Sequence, residues 1–370
     1  MKVLFCDNSL RNFINFRGDV MQSFLQKGHE VVLIVPQMAG NESVALPKGI
    51  RLYELQFNPN SINPIADIKF LISLWKIYRK ERPNIAFHYT IKPNIYGTVA
   101  AKLARIKAVA MVAGLGYMFT DNSLKKRIGR GLYKMALRLA NKVFVLNEAN
   151  KKILLEQRFV TPKRVHLMKS GEGVNLQKFP YREKDFTNTR FLMIARVLYD
   201  KGYTEFVEAA AILKEKYPTT EVSLLGPMAE DSLMGVPRSV VLGDVEAGKI
   251  KYLGETSDVP SYLKQDGIIV VVSSYHEGLN RSLMEACAMG CPSITTNIPG
   301  CREIVEHEYN GLLVPIKDTK SLADAMIRMV ETPTETKQQY SRNAFTKAKR
   351  EFSVDTVIST YWDIINEIMN

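Results

Sequence analysis

The sequence has few of the features that mark a secreted, membrane-spanning or disulfide-stabilised protein. Its 370 residues include only four cysteines, and their positions, 6, 287, 291 and 301, do not form a disulfide framework. No stretch approaches the ~20 consecutive apolar residues of a membrane span. The apolar run after Met1 is too short for a signal peptide. We therefore expect a cytoplasmic protein with no membrane-spanning segment.

Patterns that bind divalent metals are missing as well. The sequence contains no Asp-x-Asp, no His-x-His and no helical Glu-x-x-His, which are common metal-binding spacings. Cys287 and Cys291 lie one turn apart in a predicted helix, and buried thiols are more frequent there than metal ligands. The sequence thus predicts no metal site and no cofactor.

Acidic residues are scarce in the first half of the chain. Up to Pro180 there are 29 Lys and Arg against 11 Asp and Glu, a net charge of +18; this leaves 21 of the 50 basic and 27 of the 38 acidic residues for the remainder, a net charge of −6. Such asymmetry favours an anionic partner for the first half. Lipid head groups, a phosphate-bearing acceptor and nucleic acid all fit, as does a basic domain without such a partner.

Short apolar runs alternate with helical patterns along the chain. This alternation predicts parallel, doubly wound sheets, and it restarts after the polar segment 181–190. We therefore expect two Rossmann-like α/β domains facing a cleft. The predicted bounds are 1–180 for the first domain, 181–352 for the second and 353–370 for the last helix.

The stretch 273–294 carries the most informative pattern. An apolar run, 268–272, predicts a buried strand, and a helical pattern from Leu279 to Met289 follows. Glu277 would lie in the turn and Glu285 in the helix, about 12 Å apart at ~1.5 Å per residue. That separation suits hydroxyl groups at two ends of one long ligand, although a helix cap and a solvated Glu are the simpler interpretations of the two residues.

Two cations follow the first predicted strand of the second domain. Arg196 comes at the end of the strand 191–195, and Lys201 lies in the loop before the next helix. Cations beside a helix N-terminus can bind a diphosphate. If Glu277 and Glu285 follow a neighbouring strand of the same sheet, one carboxylate can bind a ribose and the other a sugar. Together these residues predict a nucleotide-sugar pocket.

A basic amphipathic helix is predicted over 125–138. One stripe contains Lys126, Arg130, Lys134 and Arg138; the opposite stripe contains Leu124, Ile128, Leu132, Met135 and Leu139. The pattern fits a helix on a membrane surface. It fits an outer helix whose apolar stripe faces a sheet nearly as well.

With these motifs the sequence resembles glycosyltransferase family 4, retaining enzymes of the GT-B fold. The resemblance rests on the Glu277-x7-Glu285 segment, on Arg196 with Lys201-Gly202, on Gly173-Val-Asn175 with Phe179, and on the segments 301–305 and 310–315. Residues 91–97 and 114–120 resemble a subgroup that builds bacterial surface polysaccharides and lipid-linked oligosaccharides. The N-acetylgalactosaminyltransferases that act on undecaprenyl-diphosphate sugars are similar.

The resemblance implies a role for each matching residue. Glu277, Arg196 and Lys201 would be catalytic, with Glu277 holding the sugar hydroxyls and the two cations stabilising the departing diphosphate. The implied donor-binding residues are Glu285, which would bind the ribose, and Gly278, Leu279, Asn280, Ser282, Gly226 and Leu253. The implied acceptor-binding residues are Asn15, His88, Lys92 and Tyr117. The Gly-Gly pair that many relatives carry after the first strand is absent here, and residues 9–16 take its place.

The resemblance also implies that the last helix crosses back to the first domain, and it implies a function. We expect a retaining, metal-independent transfer of a hexose, an N-acetylated one being favoured, from a UDP-sugar to a lipid-linked saccharide in bacterial surface-glycan synthesis. The enzyme would act on the cytoplasmic face of the inner membrane as a peripheral protein, against an anionic membrane surface and without nucleic acid. A UDP-sugar 2-epimerase of the same architecture and, with less support, a basic nucleic-acid-binding protein remain alternatives.

Overall fold

The structure is a computed structural model, and it describes residues 1–58, 61, 63–115 and 124–370. The described chain divides into two compact units. Unit 1 contains Met1–Gly173 and Val354–Asn370, and unit 2 contains Val174–Ser353. Both are α/β units built on parallel sheets, as the alternating pattern predicts.

Unit 1 is built on a seven-stranded sheet. Its strands are β1 (Lys2–Cys6), β2 (Glu30–Pro36), β3 (Ile50–Leu55), β4 (Ile85–Tyr89), β5 (Lys107–Val112), β6 (Lys142–Val145) and β7 (Val165–Leu167). The order β3-β2-β1-β4-β5-β6-β7 is that of a doubly wound Rossmann sheet, whose strand order reverses between β1 and β4. The helices are α1 (Leu10–Gln26), α2 (Pro64–Glu81), α3 (Thr98–Ala104), α4 (Leu124–Leu139) and α5 (Glu148–Glu156).

The last helix, α12 (Val354–Met369), belongs to unit 1. It packs beside α1, and the hydroxyl groups of Tyr361 and Tyr89 lie 2.8 Å apart in the core. The ring of Phe24 lies 4.7 Å from that of Trp362. Aromatic packing of this kind buries a large apolar area, and it accounts for the return of the C-terminal helix to the first sheet, which the sequence predicts.

Unit 2 is built on a six-stranded sheet. Its strands are β8 (Arg190–Ile194), β9 (Glu221–Leu225), β10 (Lys251–Tyr252), β11 (Ile268–Val272), β12 (Ser293–Thr296) and β13 (Gly311–Val314). The order β10-β9-β8-β11-β12-β13 repeats the doubly wound arrangement, now with the reversal between β8 and β11. The helices are α6 (Tyr203–Lys216), α7 (Arg238–Glu246), α8 (Val259–Leu263), α9 (Arg281–Ala288), α10 (Thr319–Glu331) and α11 (Thr334–Glu351).

Local sequence explains where many of the helices begin. Polar residues before the first turn accept hydrogen bonds from backbone N–H groups: Ser9 caps α1, Asn63 caps α2, and Asn280 caps α9. These caps satisfy donors that have no partner within the helix. Because Ser9 is a cap, residues 10–17 form the start of α1, not the loop that the sequence suggests.

Two short helices lack a strong sequence signal. Neither α5 nor α7 is predicted from periodicity, since each is only nine residues long and has a single buried residue. A π-helical segment, Pro93–Gly97, precedes α3 where a single α-helix is expected. Gly97 lies against the ring of His88 there: a Cβ atom at Gly97 would lie 2.5 Å from Cδ2 of His88.

The orientation of α4 differs from that of an outer helix whose apolar stripe faces the sheet. Lys134 donates to the carbonyl of Gln157 at 2.7 Å, and the Arg138 guanidinium donates to the carbonyl of Arg158 at 2.8 Å. Lys126 is buried. The small and aromatic residues Tyr133, Ala136, Leu137 and Ala140 form the face that packs into the core. The predicted inward stripe is instead exposed at Ile128, Leu132 and Met135.

The structure also describes the four cysteines and the apolarity of the helices. The cysteines at 6, 287, 291 and 301 are all buried free thiols, as the sequence predicts. Among the described residues, no helix combines the length and apolarity needed to cross a bilayer.

Candidate functional site

The strand order of unit 2 brings four loops to one sheet edge. β8 lies between β9 and β11, and β10 lies beside β9, so the loops that follow these strands are neighbours. Ligands of open α/β sheets bind at the carboxyl ends of strands where the order reverses. Every donor-site and catalytic residue that the resemblance implies follows one of these four strands: Arg196, Lys201, Gly226, Leu253, Glu277, Gly278, Leu279, Asn280, Ser282 and Glu285.

An ion pair joins the loops on either side of the reversal. Nζ of Lys201 donates to Oε1 of Glu277 at 2.7 Å, and the two side chains are only 21% and 12% exposed. The side-chain amide of Asn280 donates to the same oxygen at 3.0 Å. The Oδ1 atom of Asn280 caps α9 by accepting from the N–H of Leu283. Glu277 is therefore held at the N-terminus of α9 and beside a cation.

Backbone contacts fix the same two loops. Oγ of Ser273 donates to the carbonyl of Gly202 at 2.8 Å. Gly202 has a φ of +78°, and a Cβ atom there would lie 2.2 Å from the Ser273 carbonyl oxygen. Glycine is thus required by both conformation and space, which explains the Lys201-Gly202 sequence.

Tyr275 adds a side-chain link between these loops. Its N–H donates to the carbonyl of Asp200 at 3.0 Å, and its hydroxyl donates to Oε1 of Glu205, in the first turn of α6, at 2.5 Å. Burial and this carboxylate raise the pKa of the Tyr275 hydroxyl, so it stays a donor at neutral pH. Sequence reasoning missed Tyr275, because a tyrosine after a strand carries no signal until its partner is known.

Gly226 and Leu253 come from the next two strands. Gly226 has a φ of +152°, and a Cβ atom there would lie 1.9 Å from the carbonyl oxygen of Ala195. The loop after β9 can therefore approach the end of β8 only with glycine. Leu253 is partly buried against the core of unit 2, and its N–H donates to Leu224.

Helix α9 contributes Ser282 and Glu285. Oγ of Ser282 donates to the carbonyl of Ile194 at 2.9 Å, tying the helix to the end of β8. Glu285 accepts from Nε of Arg281 at 2.7 Å. Burial raises the pKa of the Glu285 carboxyl, and the neighbouring Arg281 opposes that shift. Ser282 therefore has a structural partner, whereas Glu285 is a mostly buried carboxylate held by one arginine.

Arg196 completes the set and is exposed at the end of β8. The sheet edge therefore holds two cations, Arg196 after β8 and Lys201 beside the N-termini of α6 and α9. Both helix ends carry partial positive charge. Cations and helix N-termini can stabilise a diphosphate, and the carboxylates of Glu277 and Glu285 can accept hydrogen bonds from hydroxyl groups. Among the described residues, no cluster of three His, Cys, Asp or Glu could hold a metal ion.

His88 lies in the core of unit 1. It is fully buried, and its ring nitrogens lie 2.8 Å from the hydroxyl of Tyr78 and 3.2 Å from that of Thr98. Burial lowers its pKa to about 3, so the ring is neutral at physiological pH. The structure thus gives His88 a role in the core and argues against the acceptor contact implied by the resemblance.

The structure describes two of the other implied acceptor residues, Lys92 and Asn15. Nζ of Lys92 donates to Oδ1 of Asp67 at 2.6 Å, and both residues are mostly buried. Asn15 is exposed on α1, which packs with Phe5 and α12 on the other face of the sheet from Tyr78 and α2. Tyr117 lies outside the described residues. Of the three described residues, Asn15 therefore lies on the opposite face of the sheet from the buried ring of His88.

Two family models match the chain. Residues 2–147 match the family model described as Glycosyl transferase 4-like, and residues 177–347 match the model described as Glycosyl transferases group 1. Together the two matches span most of the chain. The second match contains every residue of the candidate site.

Two relatives of known activity resemble nearly the whole chain. A Campylobacter jejuni N,N'-diacetylbacillosaminyl-diphospho-undecaprenol alpha-1,3-N-acetylgalactosaminyltransferase is 28% identical, over 90% of this chain and 90% of its own length. An Escherichia coli UDP-Gal:alpha-D-GlcNAc-diphosphoundecaprenol alpha-1,3-galactosyltransferase is 27% identical, over 86% of each.

Solved structures agree on the fold. The crystal structure of Anabaena HepE in complex with UDP matches with a TM-score of 0.80 at 17% identity, covering 99% of this chain and 100% of that one. Sucrose-phosphate synthase from Thermosynechococcus elongatus matches with a TM-score of 0.83 at 17% identity, covering 100% and 99%. The first domain matches the Glycosyl transferase 4-like model, and the second matches the Glycosyl transferases group 1 model. The chain therefore belongs to the glycosyltransferases of family 4 and has their GT-B fold.

Proposed function

We propose that the protein is a retaining, metal-independent glycosyltransferase that moves a hexose from a UDP-sugar to a lipid-linked saccharide during bacterial surface-glycan synthesis. An N-acetylated hexose is the favoured donor. The observation that carries the proposal is the Lys201–Glu277 pair, where the strand order of unit 2 reverses, with Arg196 exposed at the end of β8. The relatives named above, which act on undecaprenyl-diphosphate sugars, support a lipid-linked acceptor.

In this proposal the side chains of unit 2 take up charge and hydroxyl groups. Lys201 and Arg196 balance the negative charge that develops on the diphosphate as the bond to the sugar breaks. Fixed cations stabilise such charge without reorganisation during the reaction, which gives a metal-free enzyme the function that Mg²⁺ has elsewhere. Glu285 accepts hydrogen bonds from the ribose, and Glu277 accepts them from the sugar.

The acceptor is activated by the leaving group. With retention, the acceptor hydroxyl attacks the face from which the nucleotide departs, and a phosphate oxygen of the departing diphosphate takes its proton. No side-chain base is needed for this step, which fits a site whose neighbouring histidine, His276, is exposed. The net reaction forms one glycosidic bond and releases a nucleoside diphosphate that carries the proton.

A donor panel tests the proposal. UDP, GDP and several UDP-hexoses are titrated calorimetrically, and transfer to a short-chain polyprenyl-diphosphate saccharide is then measured with and without EDTA. We expect binding of a UDP-sugar, transfer with retained anomeric configuration, and the same rate in EDTA. Failure to bind any nucleotide, or complete loss of transfer in EDTA, contradicts the proposal. Conversion of the UDP-sugar without acceptor would favour the 2-epimerase.

A further inference from the structure

One helical layer of unit 1 exposes apolar side chains that the site does not use. The helices α2, α3 and α4 are neighbours in this layer, since α3 contacts both of the others. On α2, four large apolar residues recur at helical spacing and are exposed: Ile65 (69%), Ile68 (56%), Ile72 (45%) and Trp75 (36%). This α2 stripe carries isoleucine at three positions where a soluble helix ordinarily carries polar side chains.

The neighbouring helices extend the apolar surface. Leu103 of α3 is 60% exposed, and Ile128, Leu132 and Met135 form an exposed stripe on α4. Isolated exposed apolar residues are ordinary, but a contiguous group marks an interaction surface. Helix α2 also has a separate inward face, on which Phe70, Leu74, Ile77 and Tyr78 are buried in the core. The outward residues are therefore additional to those that hold the helix in place.

The charges around the α2 stripe have one sign. Exposed cations flank it at Lys69, Lys76, Arg79 and Lys80, and Lys102 and Arg127 lie exposed on α3 and α4. The described parts of the three helices contain two acidic residues, Asp67 and Glu81. Both are buried in ion pairs, Asp67 with Lys92 at 2.6 Å and Glu81 with Lys2 at 3.1 Å. Within the described parts of these three helices, no exposed acidic side chain therefore offsets the positive charge.

The end of α2 adds a place for an anionic group. Arg79, Arg82 and Arg105 line one open cavity of about 390 Å³ at the C-terminal ends of α2 and α3. Arginine binds phosphate oxygens through paired N–H groups. The guanidinium of Arg79 also lies 5.8 Å from the ring centroid of Trp75, so cation and aromatic ring are presented together at the same end of the stripe.

We propose that the α2 stripe, together with the exposed residues of α3 and α4, seats unit 1 on an anionic phospholipid bilayer. Isoleucines enter the boundary between head groups and acyl chains, Trp75 lies at head-group depth, and the flanking lysines and arginines bind lipid phosphates. A second copy of the chain fits the charge less well, because the same basic surface would face itself. The proposal rests on the proposed function, since it gives the enzyme access to a lipid-linked acceptor.

A matched pair of variants tests the surface. Ile72→Glu places a carboxylate in the α2 stripe, and Leu242→Glu places one on α7 of unit 2, where the exposure of Leu242, 44%, nearly equals the 45% of Ile72. Both sites are exposed helix positions, so both variants should fold, which circular dichroism and nucleotide binding check. Binding is measured by flotation with phosphatidylglycerol–phosphatidylethanolamine vesicles and with neutral phosphatidylcholine vesicles.

We expect the unchanged protein and Leu242→Glu to float with the anionic vesicles and much less with the neutral ones. Ile72→Glu should lose at least about fivefold in vesicle-bound fraction, since binding scales with buried apolar area and cation–lipid attraction. Equal flotation of Ile72→Glu and Leu242→Glu overturns the proposal. So does a dimer in solution that Ile72→Glu converts to a monomer, since a second copy would then cover the stripe.

Transfer to a water-soluble short-chain acceptor separates this inference from the function on which it rests. Ile72→Glu should transfer to that acceptor at the normal rate while losing transfer to a long-chain acceptor in vesicles. If the unchanged protein transfers to neither acceptor, the proposed function fails, whatever the flotation shows. If Ile72→Glu transfers normally to both, the surface does not seat the enzyme on the bilayer.

Discussion

Nζ of Lys201 lies 2.7 Å from Oε1 of Glu277, and this contact joins the two loops at which the sheet of unit 2 reverses its strand order. An ion pair between mostly buried groups costs desolvation energy that the attraction only partly offsets. Here the pair also keeps each group ready for a ligand. In the proposed complex, a diphosphate would give Lys201 a second anion, and a sugar would give Glu277 hydroxyl donors.

The first prediction concerns Lys201→Ala. Loss of one fixed cation beside the departing diphosphate should lower kcat by about 10²- to 10³-fold, in line with the removal of one preorganised charge-stabilising group. Lys216→Ala is the control, because Lys216 pairs with Glu331 at 2.5 Å on the exposed surface of the same unit. Steady-state transfer kinetics measure both, and a normal rate for Lys201→Ala would contradict the assignment of the site.

The second prediction concerns coupling within that pair. Glu277→Gln removes the carboxylate and leaves the amine of Lys201 without its partner, so each single variant should cost activity for a different reason. Since the residues are in contact, their effects should not add. The double variant Lys201→Ala/Glu277→Gln is expected to retain more activity than the product of the two single losses allows. Strict additivity of the two free-energy changes would mean that the contact between Lys201 and Glu277 does not contribute to catalysis.

The third prediction concerns Glu285→Gln. Because burial raises the pKa of Glu285 in the folded protein, the unfolded chain ionises at lower pH, and folding loses stability as the pH rises above the ordinary value of 4.5. Gln carries no such penalty, so the variant should melt at the same temperature or a few degrees higher at pH 7. UDP affinity should nevertheless fall by about 10- to 100-fold, because an amide accepts ribose hydroxyls less strongly.

Glu215→Gln is the control for that variant, since Glu215 is exposed on α6 and outside the site. Differential scanning calorimetry and UDP titration give the two readouts independently. Unchanged UDP affinity together with raised stability would show that Glu285 does not touch the nucleotide.

The fourth prediction treats Tyr275 as a positioning residue. Tyr275→Phe deletes the hydroxyl that binds Glu205 at 2.5 Å, and Oε2 of Glu205 already has no partner although it is buried. Since Tyr275 precedes Glu277 by two residues, we expect kcat/KM to fall about tenfold, which corresponds to ~1.4 kcal/mol. Tyr217→Phe, which removes a 2.7 Å bond to Glu331 on the surface, should leave kinetics unchanged.

A second substitution distinguishes positioning from stability. Tyr275→Phe leaves the buried carboxylate of Glu205 with one partner fewer. Adding Glu205→Gln replaces this carboxylate with a neutral amide, so the double variant should regain thermal stability. Turnover should stay low, because the link to the loop is still missing. Recovery of both stability and turnover would reduce Tyr275 to a structural role.

Part of the candidate site could be predicted from the sequence, because its polar residues follow the carboxyl ends of predicted strands. Strand and helix patterns placed Arg196, Lys201, Glu277 and Glu285 after particular strands, and the strand order of a doubly wound sheet makes those strand ends neighbours. The sequence could not show which partners hold these groups. The bonds of Lys201 to Glu277 and of Tyr275 to Glu205 span 76 and 70 residues, and no local pattern encodes such contacts.

In unit 1, the sequence pattern could not determine which side of helix α4 faces the sheet or whether His88 is buried. Helix α4 is apolar on more than one side, so hydrophobic periodicity alone could not decide which stripe faces the sheet. The small residues Ala136 and Ala140 allow close packing, and Lys134 and Arg138 find carbonyl partners near the end of α5. Together these tertiary contacts turn Ile128 and Leu132 outward. Similarly, a histidine at a strand end fits both a core and a ligand site, and only burial places His88 in the core.

The last prediction uses that burial. The folded-state pKa of His88 is about 3 against an ordinary value of 6.5, so between these values the unfolded chain binds a proton that the folded protein excludes. Stability should therefore decrease as the pH falls below 6.5, by at most about 1.4 kcal/mol per pH unit from this residue. His88→Gln can keep hydrogen bonds to Tyr78 and Thr98 but cannot titrate. It should cost about 1–3 kcal/mol at pH 7 through imperfect packing, and the difference from the unchanged protein should shrink by about 2 kcal/mol at pH 5. Urea unfolding followed by tryptophan fluorescence measures this, because the two tryptophans of the sequence, Trp75 and Trp362, both belong to unit 1. A difference that stays constant from pH 7 to pH 5 would mean that His88 can accept a proton in the folded state, and its ring would then have to reach solvent or an anionic ligand after all.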